Sequence, residues 1–385
     1  SYTYDSSNHM LTEEKPNGNA TSVITYAYDE NGNLILETDE KENKTSYTFD
    51  EFYNPKSVNY PDGTSVSFEY DSKNRLLKST SQSGAVTSFT YATETSYNIA
   101  STTDPNGNVT TNTYDALDRL ISSVTSAGTT RYDYSATGKL LCQTNPDGTT
   151  ESYTYDDADR NTSVKDPADN HVGMTYDDMG RIISLRNADG SVVSYDYDAN
   201  GNLVKETDEN QKVTVFTYDS NDEVTKEAVD KKASIEYERD AKGRVTKETD
   251  ESGATVTYKY NDLDLVTEMK DKLNRVVKYE YDSTGNLTKE TRFDGKELIY
   301  TYDSMNRMTS KVDEKGIKTE YTYDSEGRIT AQKESRGTSE RTLSFTYDNN
   351  GNKLSETDYE GNKTCFSYDG ANRLVKVTDA LGNST

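Results

Sequence analysis

The residues able to carry covalent or metal chemistry are few in this chain, and they lie far apart. Histidine occurs at His9 and His171 alone, both in or beside turn signals, and no Ser/His/Asp or Cys/His constellation can be assembled around either. Cys142 and Cys365 are too few and too separated for a disulfide framework or a zinc site, and read as small buried apolar residues. Carboxylate pairs abound, as chance requires among 68 Asp and Glu. The segments Asp29–Asn33, Asp198–Asn202 and Asp348–Asn352 look acidic and glycine-bearing. Their glycine falls at the fourth place rather than the sixth, however, and no glutamate closes a twelve-residue loop, so they read as turns rather than calcium sites. No catalytic, cofactor-binding or metal-binding residue is assigned, and none of these side chains defines an enzyme.

What does recur is structural. A Tyr-Asp pair, or a close variant, appears eighteen times, at Tyr4, Tyr28, Phe49, Tyr70, Tyr91, Tyr114, Tyr134, Tyr155, Tyr176, Tyr197, Tyr218, Arg239, Tyr260, Tyr281, Tyr302, Tyr323, Tyr347 and Tyr368. Thirteen of the seventeen intervals are 21 residues, so one short supersecondary unit is repeated along residues 1–385. Within a unit such as Tyr197 to Thr217, two turn signals separate two runs rich in Val, Thr and aromatics, Leu203 to Thr207 and Val213 to Tyr218. That is the composition of pleated strands, and the unit reads as a β-hairpin with its link to the next.

Each turn has its own chemistry. The Asp after the anchor can accept hydrogen bonds from turn amides, and the fifth place demands a residue comfortable at positive φ. Glycine stands there in eight units, and Asn or Asp in eight more; Tyr53 and Tyr97 are the exceptions. The second turn is marked by Asp62-Gly63, Asp147-Gly148, Asp189-Gly190 and Asp294-Gly295, or by longer forms such as Thr103 to Gly107, and dipeptides of this kind close hairpins. Variation in unit length is expected in these second loops.

Leu, Ile, Val and Phe together supply only about 16% of the chain, which with a net charge of -25 would suit a disordered polymer. The 31 tyrosines argue otherwise, because they are periodic and each can bury a ring while its hydroxyl stays wet. In sixteen units a second aromatic precedes the anchor by two residues, Asn112 and Met174 being the interruptions. Alternation along a strand puts both rows on one face, where ring-to-ring ladders are expected to stand in for an aliphatic core. Some 36 strands laid flat would span roughly 170 Å. Open twisted sheets of that size curl, so the array should wind into a spiral or hollow tube.

The pattern Y-x-Y-D-x-x-G-R-[LIV]-x-x-x-T-D-x-x-G, read most cleanly from Tyr321 to Gly337 and from Tyr258 to Leu273, resembles the YD or Rhs repeat over essentially the whole chain. Members of that family look like shells of bacterial polymorphic toxins, insecticidal toxin complexes, wall-associated proteins and teneurins. The resemblance implies a β-sheet spiralling into a hollow cocoon, which in the toxins encloses a C-terminal effector. It also implies a self-cleaving Asp-Pro core after the repeats. Asp104-Pro105-Asn106-Gly107 is superficially similar to that core but occupies a turn slot between strands, so no cleavage activity is carried over.

The expectations are therefore an all-β array of about 21-residue hairpin repeats in one continuous spiralling sheet, a hollow β-solenoid or cocoon segment, occupying 1–385 as a piece of a much larger secreted or surface bacterial protein. Its partner would be the enclosed toxin or effector of the same parent protein. The acidic balance argues against nucleic acid, and the absence of an apolar run of about 18 residues or a leader argues against membrane insertion. The rival is an extracellular adhesion or carbohydrate-binding stalk, for which the irregular aromatics Tyr53, Tyr97 and Tyr359 would stack on sugars. Sequons such as those at Asn19, Asn43, Asn108, Asn161, Asn286 and Asn362 follow from a composition rich in Asn and Thr.

Overall fold

In the computed structural model, which describes residues 1–17, 20–230 and 232–385, 36 strands of three to nine residues form one antiparallel sheet. Successive strands pair in chain order, as Tyr197-bearing Val192–Tyr197 does with Leu203–Thr207, and that strand in turn with Val213–Tyr218. The two runs read from the sequence of that unit are thus the observed strands. The sheet stays open, its ladder beginning at Tyr2–Tyr4 and reaching Leu374–Thr378.

Both turns of the unit share one geometry. In the first, the amide of Asp156 donates to the carbonyl of Arg160 and the amide of Asp159 to the carbonyl of Asp156. In the second, Tyr60 and Thr64, with Gly63 donating to Tyr60, repeat the arrangement. This is a three-residue loop whose last member is left-handed. The Asp-Gly pairs therefore close hairpins as the end of a three-residue loop, not as a two-residue turn, and Gly63 sits at φ 83°. True two-residue loops occur between Thr125 and Gly128 and between Arg336 and Ser339. The left-handed requirement at the fifth place extends to Tyr53, at φ 66°, which complies despite its side chain. Tyr97 does not comply, because its loop is longer: Ala92 donates to Asn98 across seven residues instead of five. Length variation thus falls mostly at the second turn, as expected, but in the unit of Tyr91 it falls at the first.

One irregularity recurs in all eighteen units. Where the return strand leaves the first turn, the register slips by one residue opposite the anchor, as between Thr154↔Ser163 and Tyr155↔Asn161. Such bulges bend the strand and strengthen its local twist. Repeating one at the same edge of the ribbon every 21 residues makes the sheet coil, and the coil comes round on itself. Turns 242 to 246 residues apart in sequence are hydrogen-bonded to one another. Between them lie about 23 strands, so one winding measures ~110 Å around and ~35 Å across, at 4.8 Å per strand.

The faces alternate cleanly. The aromatic face is half-buried, as at Tyr153 and Tyr155 with exposed Thr154 between them. The other carries cross-strand Lys–carboxylate pairs, among them Lys78–Glu69, Lys205–Asp196, Lys247–Glu238 and Lys259–Glu268, and hydroxyl pairs such as Thr175–Ser184. No apolar side chain among the described residues is fully buried; those that are buried are Ser22, Ser310, Thr319 and Ser355. A face packed against a second layer would bury its side chains. The sheet is therefore a single layer.

Replacing Tyr53 by Asn should raise stability by about 0.5–1 kcal/mol by relieving the left-handed strain, whereas Gly327→Val should lower it by at least about 1 kcal/mol. Urea denaturation measures both, and an unchanged or lower midpoint for Tyr53→Asn would remove the strain argument.

Candidate functional site

With no core to hold the units together, the side chains that join one unit to the next are the functional machinery of this sheet. The junction at Asp156 shows the design. Oδ1 of Asp156 accepts the amides of Ala158 and Arg160, both at 2.9 Å, which fixes the turn. Oδ2 receives Nε and Nη2 of Arg160, each at 2.7 Å. The guanidinium then lies over the ring of Tyr176 in the next unit, 4.8 Å from its centroid, while Nη1 donates to the carbonyl of Asp177 at 2.9 Å. Tyr176 closes the circuit: its hydroxyl donates back to the carbonyl of Asn161, at the bulge, at 2.5 Å. A bulge disrupts the ladder locally, and a half-buried carbonyl left there needs a donor. The next tyrosine supplies it.

This clasp recurs along the chain. Fourteen anchor hydroxyls donate to the bulge carbonyl of the unit before, at 2.5 to 3.0 Å. Arg75, Arg119, Arg181, Arg244, Arg307 and Arg328 sit over the following anchor ring at 4.3 to 5.2 Å, as Arg160 does. Variants keep the logic with other atoms. His9 takes the arginine slot in the first unit, its Nδ1 2.9 Å from Asp5 Oδ2 and its ring stacked on Tyr28 at 4.8 Å. Arg239 takes an anchor slot and its Nη2 donates to the carbonyl of Val224, where a phenol would. Asn at the arginine slot, as at Asn202, bonds Asp198 Oδ2 through Nδ2 but offers nothing to stack.

Two expectations change here. The anchor hydroxyls are not left to water, and the rings do not form a ring-on-ring ladder. Among the described residues the stacked aromatic pair is His9 with Tyr28, and elsewhere guanidinium groups lie over the anchor rings. The arginine was visible as a recurring letter of the repeat pattern, but its role depends on contacts with the following unit.

The second functional feature is the seam between windings. Second-turn loops of early units meet first-turn loops of late ones in consecutive order. Lys41 pairs with Asp282 at 2.8 Å, and Arg307 with Asp62 at 3.4 Å. The amide of Ser83 donates to Glu326 at 2.7 Å. Asn106 and Asp348 bond at 2.9 Å, and Asn350 and Asp104 at 2.7 Å. A Cβ on Gly370 would come within 2.6 Å of Ser126 Oγ and 2.8 Å of Asn108 Oδ1, so a larger residue there would push these side chains aside. These groups are mostly covered, Lys41 and Asp282 exposing 26% and 19% of their side chains. Asp104 is thus a seam residue in a turn.

The remaining residues singled out in the sequence have separate fates. His171 is exposed, and the cysteines are not buried as expected, because a single layer has no interior: Cys365 is exposed and Cys142 half-buried. The Asp residues of the three calcium-like loops accept their own turn amides, as Asp29 does from Asn31 and Asn33. Among the sequons, Asn43, Asn108, Asn286 and Asn362 donate to turn aspartates, and Asn19 lies outside the described residues. Tyr359 is engaged by Glu334, Gln332 and Arg341. No helix among the described residues is long and apolar enough to cross a membrane.

Comparison with known proteins gives two family matches. The chain matches the family described as Teneurin YD-shell over residues 1–125, 108–192 and 186–319, and the RHS repeat over 302–339 and 347–384. No curated protein sequence matches it. Among solved structures it is similar to the crystal structure of TcdB2-TccC3 without the hypervariable C-terminal region, at 15% identity and TM-score 0.57, covering 98% of this chain and 23% of that one. A second TcdB2-TccC3 crystal structure gives 15% identity and TM-score 0.46, covering 98% and 21%. The first likeness shows a shared fold, and the chain spans about a quarter of the length of the structures it matches.

Tyr176→Phe should cost about 1–2 kcal/mol by leaving the Asn161 carbonyl unpaired, and Arg160→Met somewhat less, with the double variant losing less than the sum. Arg239→Leu should cost a similar amount and Arg239→Tyr little, and equal midpoints for all five in urea would refute the clasp. The pH response follows from the clasp aspartates and from the second row of tyrosines. Asp115 is held below its ordinary 3.8 by Arg119, whose side chain and amide both bond it, and Asp240 likewise by Arg244. Burial, then Glu151 and Glu248, push Tyr153 and Tyr258 up to about 12. The carboxylate contribution is complete above 3.8 and is lost as pH falls below it; the phenol contribution is complete below 10.0 and is lost as pH rises toward about 12. Circular dichroism against pH should show a plateau between these limits, and alkaline unfolding coinciding with tyrosinate absorbance.

Proposed function

Because the chain belongs to the teneurin YD-shell family, we propose that it is a non-enzymatic wall segment of a hollow β-sheet shell, part of a larger secreted or surface-displayed bacterial protein, and that the shell encloses a toxic C-terminal region of that same protein. The observation that carries this reading is the seam. A single-layered ribbon that returns to itself after 242 to 246 residues surrounds a space, since its two faces are separated by one strand thickness and the winding is ~35 Å across.

The physics suits containment better than catalysis. Clasps fix unit to unit locally, so the wall can be lengthened by adding units without redesigning a core. Cross-seam pairs, mostly covered and each worth on the order of 1 kcal/mol, then lock one winding to the next as a row of weak bonds. A wall of this kind is rigid where it must resist, and openable where many weak bonds can be broken together. The adhesion reading would be served by a stretched array with independent edges, and the seam disfavours it; a sugar site on the rim of a shell is a separate question.

The test uses the full-length parent protein. Electron microscopy should show a hollow body, and added protease should leave the C-terminal region intact. Combining Lys41→Ala, Glu326→Ala and Gly370→Leu should speed amide exchange in the turns at 39–43, 81–85 and 125–128 and expose the C-terminal region to protease, with strand content unchanged by circular dichroism. A solid rod, or a C-terminal region cut equally fast in the native protein, would overturn the reading.

A further inference from the structure

We infer that the cavity between the 92–98 loop and the strand Val109–Tyr114 binds an arginine side chain presented by a partner polypeptide. The chain itself shows what such a site needs. Each guanidinium that lies over an anchor ring is held by that ring, by the aspartate of its own turn and by a carbonyl of the turn that follows. Arg244 is the fullest case. It lies 4.7 Å from the centroid of Tyr260, while Nη1 donates to the carbonyl of Asn261 at 3.2 Å and to Asp264 Oδ1 at 2.6 Å.

In the unit of Tyr91 the same slot is framed but holds no cation of the chain's own. Ala92 stands in the place of the turn aspartate and Asn98 in that of the arginine, so the next anchor ring, Tyr114, keeps its hydroxyl bond to Ile99 but no guanidinium lies over it. Other units with asparagine in the slot retain the turn aspartate, which draws the amide back to itself, as Asp198 does with Asn202 at 3.1 Å. Here the loop is also two residues longer, and Asn112 replaces the second aromatic of the strand. The result is a cavity of about 720 Å³, within the range of roughly 300–1,000 Å³ usual for ligand sites, and roomy enough for an arginine with part of its flanking chain.

The acceptors of a guanidinium remain in place. Asp115, at the position whose carbonyl Asn261 offers to Arg244, and Asp118, at the position of Asp264, line the cavity together with Tyr114. Charges around it are matched except at one group. Asp71 is paired with Arg75, Asp115 with Arg119 and Glu94 with Lys73, whereas among the described residues the carboxylate of Asp118 receives only the neutral amide of Asn98, at 2.7 Å. One unmatched carboxylate beside an uncovered ring favours a cation, and a planar, weakly hydrated guanidinium stacks better than an ammonium. The walls are already fixed. Nη1 of Arg75 donates to the carbonyls of Thr93 at 3.0 Å and Ser96 at 2.6 Å, and Tyr97, 71% exposed at the mouth, has its hydroxyl on the carbonyl of Lys73 at 3.2 Å. An arginine within a chain brings no carboxylate of its own, so a polypeptide suits this acidic surface better than the free amino acid. The site stands whatever the wall encloses.

Saturation-transfer NMR on a capped pentapeptide, with arginine between glycines, titrated onto the 385-residue chain tests the site. The peptide should bind about tenfold more tightly than its citrulline analogue, a neutral isostere, and more tightly than free arginine. Asp118→Asn should weaken binding by about tenfold, whereas Asp159→Asn, which removes the same charge from the same turn place of another unit, should leave it unchanged. Both places are left-handed, at φ 62° and 64°, and Asn tolerates that conformation. Asn98→Arg, which fills the slot from within, should abolish binding while holding or raising the unfolding midpoint in urea. Equal binding of the arginine and citrulline peptides, tighter binding of free arginine, equal effects of the two aspartate variants, or native affinity in Asn98→Arg would overturn the assignment.

Discussion

Everything in this sheet depends on a backbone carbonyl exposed by a bulge and answered by a phenol 14 to 18 residues further on. A bulge alone would weaken the ladder, and an unpaired half-buried carbonyl costs about 1–3 kcal/mol. The hydroxyl of the following tyrosine removes that cost, and in doing so fixes the distance and angle between units. The arginine makes the arrangement directional, because it binds the aspartate of its own turn and the ring of the next. Charge-assisted bonds, a cation over a ring and a satisfied carbonyl are each modest, but they share atoms and so reinforce one another.

Such a design explains a stable sheet with no buried apolar side chain among its described residues. Ordinary domains gain stability by hiding hydrocarbon between layers; here one layer has wet faces, and cohesion comes from polar junctions repeated at every unit. Substituted clasps show what chemistry they share. Arg239 replaces a ring but still reaches the carbonyl of Val224, and His9 replaces a guanidinium but still stacks and still binds Asp5. In these two units the donor to the carbonyl and the partner of the aspartate persist with other atoms, whereas Phe49 brings no hydroxyl to its anchor. Stability of this kind adds along the chain by nearest neighbours.

Curvature links that local chemistry to function. A bulge at the same edge of every hairpin gives each unit a small rotation, and the rotations add until turns 242 to 246 residues apart meet. The seam side chains are ordinary turn residues, Lys41, Asp62, Ser83 and Asn106, recruited by position rather than by type. A shell wall requires that combination: strong junctions along the ribbon and a separate, weaker contact between windings.

The sequence by itself determined whatever is settled within about one unit. Strand limits such as Leu203–Thr207, the aspartate that caps each turn, the left-handed place that even Tyr53 obeys, and the two-faced alternation all follow from dihedral preferences and period-two geometry, which act between near neighbours. The tertiary structure decided the rest. Which carbonyl each tyrosine answers, why an arginine rather than another ring lies against it, how Asn112 and the long 92–98 loop combine into a cavity, and which turns touch at the seam depend on bend and twist summed over many units. Small rotations per repeat leave no mark in any single stretch of residues, and their sum exists only in three dimensions.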